Sequence, residues 1–459
     1  MNHAAIPRSH TALSGELWGN AAILMAAICF GFVFFAIDPT PRTVPIAFLG
    51  VAVAVALLAY PELALALYVV IGDVKGDERV AALLPWDLTL ALGGMLVAGI
   101  LLNFLRKKPV AGMPSSYFLF IPLVTMMVVS LSYTPVFDAG TEKLGRFLTV
   151  TGIVIVAPFF AIATARAMKR FLWGFSIASF AICGYALTSL GGSDRLVSPS
   201  SNTIGLGHIA CGLIVIIWFG LLPRLGFRKR ILLYPVLAVP MLALIGSGSR
   251  GAAMAVGIIL LASVFFIRSL LFDLGCMTAL GITLIPFVNI PQASFAYLGT
   301  LVNSQSVKAL LFFRAELLTY GWEVLCQHPL LGVGIQGFRY YSPNAALYNW
   351  PHNIFLEVSC EMGIGAGLLV MALFVLAIRE CWRQLHDHAG PHLVFSQIAA
   401  ALLLAGIVNA TNTGDINSDR STWLFLSVVY VVRGLRERSR QPQREGRSHF
   451  LRRLRAARA

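Results

Sequence analysis

Residues 205–222 read GLGHIACGLIVIIWFGLL, a run with one histidine and no lysine, arginine, aspartate or glutamate. At about 1.5 Å of rise per residue, a helix of this length spans about 27 Å, close to the thickness of a bilayer's hydrocarbon core. Inside that core each backbone amide must find its partner within its own segment, as a helix allows. Comparable apolar blocks lie near 19–37, 44–59, 61–72, 86–104, 116–132, 146–164, 169–190, 230–246, 250–268, 271–290, 353–378, 393–411 and 421–433. The second and third of the chain are separated only by Tyr60-Pro61-Glu62 and read as two short spans or one broken, re-entrant pair. The expectation is an all-α polytopic membrane protein with about 12–14 transmembrane helices. The first block ends in Asp-Pro-Thr-Pro without a small-x-small cleavage pattern and reads as a retained helix.

Composition agrees. Of 459 residues, 58% are hydrophobic and only 12% charged, about half the charge a water-facing surface carries. The net charge of +14 would suit nucleic acid if it were patchy, but it follows topology instead. With the amino terminus placed inside, Arg106-Lys107-Lys108, Arg166, Lys169, Arg170, Arg224, Arg228, Lys229, Arg230, Arg268, Arg379, Arg383 and the arginine-rich tail fall on one side. That side holds about two thirds of the basic residues, the bias of cytoplasmic loops. The tail, 433–459, reads as a disordered cytoplasmic anchor on anionic membrane lipid, not as a nucleic-acid arm. Seven cysteines are scattered without a CxxC pair, so neither a disulfide framework nor a metal site is indicated.

The longest polar interruption is a loop over 291–351, expected on the side opposite the basic loops. From Arg314 it runs RAELLTYGWEVLCQHPLLGVGIQGFRYYSPNAALYNWPHNIFLEVSCEMG to Gly363. Residues from about 307 to 325 carry apolar groups at helical spacing, as an interfacial helix presenting Arg314 would. Arg195, Arg250, Arg314, Arg339 and Arg420 all stand on the side where basic residues are disfavoured, and an anionic ligand would account for them. Each has a plainer reading. Arg195 beside Asp194 suits a surface ion pair. Gly246-Ser-Gly-Ser249-Arg250 suits either an anion site at a helix start, with Ser249 as N-cap, or a tight packing turn. His352, after Pro351, is placed for proton abstraction from a hydroxyl, or for helix capping. Asn353, Glu357 and Glu361 recur every four residues, so they share one face, turned to the bundle interior. There they orient His352 or an arginine, or serve as a structural device. Asp415-x-Asn417-x-Asp419 lacks the glycine and distal glutamate of a calcium loop.

Taken together, Arg314…Trp322…His328-Pro329-Leu330-Leu331-Gly332-Val333-Gly334…His352-Asn353…Glu361-Met362-Gly363, preceded by Ser247-Gly248-Ser249-Arg250, resembles the shared domain of bacterial O-antigen ligases and polymerases. The resemblance is strongest over 240–365. It divides the chain into amino-terminal membrane helices (1–190), a ligase/polymerase-like membrane domain (191–432) and the tail. It implies a glycosyltransferase-C-like fold in the inner membrane that moves a glycan from undecaprenyl diphosphate to an acceptor hydroxyl on the periplasmic side. Neither metal nor nucleotide sugar is implied. By the same resemblance His352 is the general base, and Arg250, with Arg195 and Arg314, binds the diphosphate. Ser249, Asn353, Glu357, Glu361, Arg339 and Arg420 stand in support. His208 occupies a place held by arginine in some polymerase-type members. The acceptor, lipid A-core or a second lipid-linked unit, stays open. So does a lipid-linked sugar flippase, although no inverted pair of broken helices points to one.

Overall fold

The computed structural model describes residues 43–73, 87–188, 196–197, 202–267, 269–284, 304–341, 350–387, 392–412, 414–417 and 419–456. Among them there is no strand. Local chemistry sets where each helix begins and ends. α1 (Thr43–Ala59) and α2 (Pro61–Val70) meet at a 113° bend, because Pro61 removes a backbone donor and forces Tyr60 out of helical geometry. α3 (Leu88–Leu105) is capped by the Asp87 carboxylate, which accepts from the Thr89 amide at 2.7 Å. α4 (Phe120–Ser130) follows a 3₁₀ turn. α5 (Phe137–Arg146) runs through one π-helical turn, Phe147–Thr151, into α6 (Gly152–Ala161). α7 (Ala165–Leu187) and α8 (Thr203–Gly220) start at Thr164 and Asn202, whose side chains accept from their first free amides.

α8 contains the stretch quoted first, and every residue from Ile209 to Gly220 is buried. A helix apolar all round belongs inside a bundle, and α8 packs against α7, α9 (Phe227–Ser247), α10 (Arg250–Phe266) and α16 (Leu393–Asn412). α11 (Ser269–Leu284) brings the fully buried Asp273 to Arg230 and the Tyr234 hydroxyl of α9, both at 2.8 Å. α12 (Ser304–Gln327) occupies much of the expected loop, followed by the single turn α13 (Phe338–Tyr341). α14 (Ile354–Met362) and α15 (Ile364–His386) precede α16, and α17 (Arg420–Ala456) closes the bundle. One contiguous apolar core runs from Leu57 to Leu435.

Among the described residues seven helices are long and apolar enough to cross a membrane, eight if the bent α1–α2 pair counts as one span. Over its described residues each apolar block expected from residue 44 onward coincides with helix, and 19–37 and 285–290 lie outside the described residues. Two details differ. The block 353–378 is two helices, broken at Gly363. The tail, expected to be disordered, continues as helix to Ala456. Arg433 pairs with Glu437 one turn on at 2.8 Å, and arginine, glutamine, glutamate and leucine are good helix formers. Its first turns also dock: Arg436 donates to Gln384 O and Ser396 Oγ, and Arg438 to Ala163 O.

The break at Gly363 has a steric cause. Its φ is +85°, and a Cβ there would overlap the Leu330 carbonyl. Gly363→Ala should destabilise the protein by about 1–3 kcal/mol from backbone strain alone. Gly365→Ala, whose Cβ would meet only Met126 Cε at an ordinary 3.5 Å, should be close to neutral. Thermal unfolding midpoints in detergent distinguish the two.

Candidate active site

The Gly-rich turn from Gly332 to Gly337 and α14 form one unit. The last carbonyls of a helix lack intrahelical partners, and here two are met by the turn. Val333 N–H donates to Cys360 O at 2.9 Å, and Gly334 N–H to Glu361 O at 2.8 Å. The Ile364 amide returns a bond to Pro329 O at 2.9 Å. Backbones approach so closely that a Cβ on Gly332 would meet Cys360 O, and one on Gly334 would lie 2.5 Å from Thr134 Cα. These glycines thus cap α14. The α4–α5 loop holds the turn from its other side, through Tyr133 Oη to Leu331 O, Thr134 Oγ1 to Ile335 O, and Ile335 N–H to Ser130 Oγ.

At the other end of α14, Asn353 is the N-cap. Its Oδ1 accepts from the Leu356 amide at 3.1 Å, and its Nδ2 donates to Thr411 O. His352, immediately before it, has φ +55°, a conformation costly for a residue with a Cβ and concentrated at functional sites. The Trp350 ring lies edge-on, 5.9 Å from the imidazole.

Two cavities meet here. One, of about 370 Å³, is lined by His352, His208, Asn202, Asp419, Trp350 and Arg420 among others. The second, of about 670 Å³, is lined by Lys143, Arg146, Gln336, Arg339, Asp415 and Asn417, again with Trp350 and Arg420. Those last two side chains form the wall common to both. Arg420 also lies against Gly72, where a Cβ would stand 3.6 Å from its Nη1. Arg146 pairs with exposed Glu142 at 2.6 Å, and Arg339 is exposed. Asp419 is buried at the start of α17, where it accepts from Thr422 Oγ1 at 2.6 Å and Ser421 Oγ at 3.1 Å. Burial raises its carboxyl above the ordinary value, and nearby His208 pulls the other way. Asp415 accepts from the Asn417 amide at 2.6 Å, so this acidic loop uses its carboxylates to shape itself. Among the described residues no three His, Cys, Asp or Glu side chains gather closely enough to hold a metal.

Residues 235–371 match the family described as O-antigen ligase. Over that segment the chain is similar to the O-antigen ligase family. The match covers less than a third of its length, and no curated protein matches the chain. The O-antigen ligase segment supplies Gln336, Arg339, Trp350 and His352 to the cavities. Lys143, Arg146, His208, Asp419 and Arg420 come from outside it.

The expected residues are distributed unevenly. Arg339 lines one of the adjoining cavities, His352 the other, and Arg420 both. Arg195 lies outside the described residues, as does the side chain of Arg314, whose backbone is in α12. Arg250 opens α10 and is absent from both linings. Ser249 sits at the N-cap position without a capping hydrogen bond. It packs instead on Gly207, where a Cβ would lie 2.5 Å from its own Cβ. Gly246 lies against Leu196 and accepts its amide at 2.8 Å, so the small residues of this turn serve close packing. Glu357 and Glu361 face inward as their spacing requires, but their partner is neither His352 nor an arginine. It is Lys143 of α5, whose Nζ lies 2.6 Å from Glu357 Oε1 and 2.7 Å from Glu361 Oε2, with all three side chains buried. Glu357 Oε2 also accepts the Ile416 amide at 3.2 Å. Lys143→Met strands two buried carboxyl groups and should cost about 3–5 kcal/mol. Adding Glu357→Gln and Glu361→Gln should recover most of that loss, read as folded yield and unfolding midpoint.

Proposed function

We propose that this protein is a membrane glycosyltransferase that moves a glycan from undecaprenyl diphosphate to an acceptor hydroxyl, with its site on the periplasmic side of the inner membrane and both termini cytoplasmic. The observation that carries the reading is the Arg420–Trp350 wall, which a cavity bearing Arg146 and Arg339 shares with one bearing His352. Departure of a diphosphate is eased by fixed positive charge around its oxygens, and guanidinium groups provide planar, paired donors for them. Arg420, Arg339 and Arg146 are disposed for that role. His352 takes the proton of the acceptor hydroxyl as its oxygen attacks the anomeric carbon. The glycosyl–phosphate bond breaks, the electron pair leaves with the diphosphate, and direct displacement inverts the anomeric centre.

Arg250 enters by family resemblance. It stands one residue past Ser249, which packs on Gly207, the neighbour of cavity-lining His208. Arg195 and Arg314 enter in the same way.

The test supplies purified protein with an undecaprenyl-diphosphate glycan and, in parallel, lipid A-core or a second lipid-linked unit as acceptor. Transfer to one of them is expected. His352→Ala should lower the rate by about 10²–10⁴-fold, and Arg420→Ala and Arg250→Ala by about 10²–10³-fold each, with folded yield unchanged. Full activity in the His352 and Arg420 variants, or retained anomeric configuration in the product, overturns the mechanism.

A further inference from the structure

At the end of the bundle away from His352, a lateral groove of about 640 Å³ opens between α7, α8, α9 and α16. α8 connects the two regions: Asn202, Gly205 and His208 at its start line the His352 cavity, and Leu213 through Arg224 line the groove. Trp173, Ile177 and Phe180 of α7 form much of an apolar wall, and all three are exposed on the outside of the bundle. Lys169, Ser176 and Arg224 are its only polar lining residues, and none is acidic.

The two charges stand at the same end. α7 and α8 are consecutive and antiparallel, with Phe175 packed on Gly212. Lys169, near the start of α7, therefore lies toward Arg224, just beyond the end of α8. Arg224 also lines a second recess with Arg228 and Lys229. Neighbouring arginines are occupied: Arg170 pairs with buried Glu62 at 2.5 Å, and Arg230 with Asp273 at 2.8 Å. Among the described residues Lys169 and Arg224 make no ion pair with any carboxylate.

Length decides what fits. Leu213 to Arg224 spans about 16 Å along a helix, about half the roughly 30 Å hydrocarbon core. An apolar slot one leaflet deep, with two uncompensated cations at its outer end, is complementary to one class of molecule. We propose that this groove is a binding site for an anionic glycerophospholipid of the membrane. One acyl chain lies against Trp173, Ile177 and Phe180, and the phosphate sits between Lys169 and Arg224. The site is separate from the proposed glycan chemistry and does not depend on it.

Native mass spectrometry of the full chain tests this with phosphatidylglycerol and phosphatidylcholine at equal concentration. Phosphatidylglycerol should be retained preferentially, and Lys169→Gln/Arg224→Gln should remove the preference, at roughly fivefold per charge. Both side chains are exposed, so the double variant should keep its fold. In parallel, phosphatidylglycerol brominated on its acyl chain should quench tryptophan fluorescence less in Trp173→Phe than in the unaltered protein. Equal retention of the two lipids, a preference that survives the double variant, quenching independent of Trp173, or displacement of phosphatidylglycerol by undecaprenyl diphosphate would each overturn the proposal.

Discussion

A lysine ammonium taken out of water needs close anionic partners, and Lys143 has two, Glu357 and Glu361, one turn apart on α14. Without them the charge would cost several kcal/mol to bury. α14 has only nine residues, too few to hold a helix by itself. It persists because three constraints act on it together: the ion triad at its flank, Asn353 at its first turn, and the Gly-rich turn against its last carbonyls. His352 stands at the tip of this fixed segment. A charge pair more than two hundred residues apart in sequence thus sets where the imidazole is held.

The bundle was legible because its helices are written in apolar length, and length is a local property. Pro61 and the inward face of Glu357 and Glu361 were legible for the same reason: proline geometry and four-residue spacing need no knowledge of the rest of the chain. Lys143 was not. In sequence it looks like one more loop cation, and only the fold shows that it satisfies the two carboxylates. Glycine left a second point open. Gly332, Gly334 and Gly246 permit close backbone approach, and sequence alone does not distinguish approach to a ligand from approach to another part of the protein. Here the neighbour is protein in all three cases. The wall made by Trp350 and Arg420 joins residues seventy apart; the arginine stood out by its side of the membrane, but nothing local pairs it with the tryptophan.

The cations of the bundle have different surroundings at its two ends. Toward His352, cations line polar cavities beside carboxylates and histidines. Toward the opposite end, Arg230, Arg436 and Arg438 bind carboxylates or carbonyls and lock helix ends together, and Lys169 and Arg224 rim an apolar groove. Cations therefore hold the fold at both ends, Lys143 beside α14 and Arg230, Arg436 and Arg438 at the far helix ends.

The π-helical turn at Phe147–Thr151 fixes an angular phase between α5 and α6. Lys143, Phe147 and Thr151 all point inward, as do Val154 and Pro158 beyond them, a spacing wider than the 3.6-residue period of an unbroken α-helix. The wide turn absorbs the excess. Losing one residue there would wind everything upstream round by about 100°, carrying the ammonium off the carboxylates while leaving the apolar face of α6 in place. This short segment tolerates exchange of side chains more readily than any change in their number.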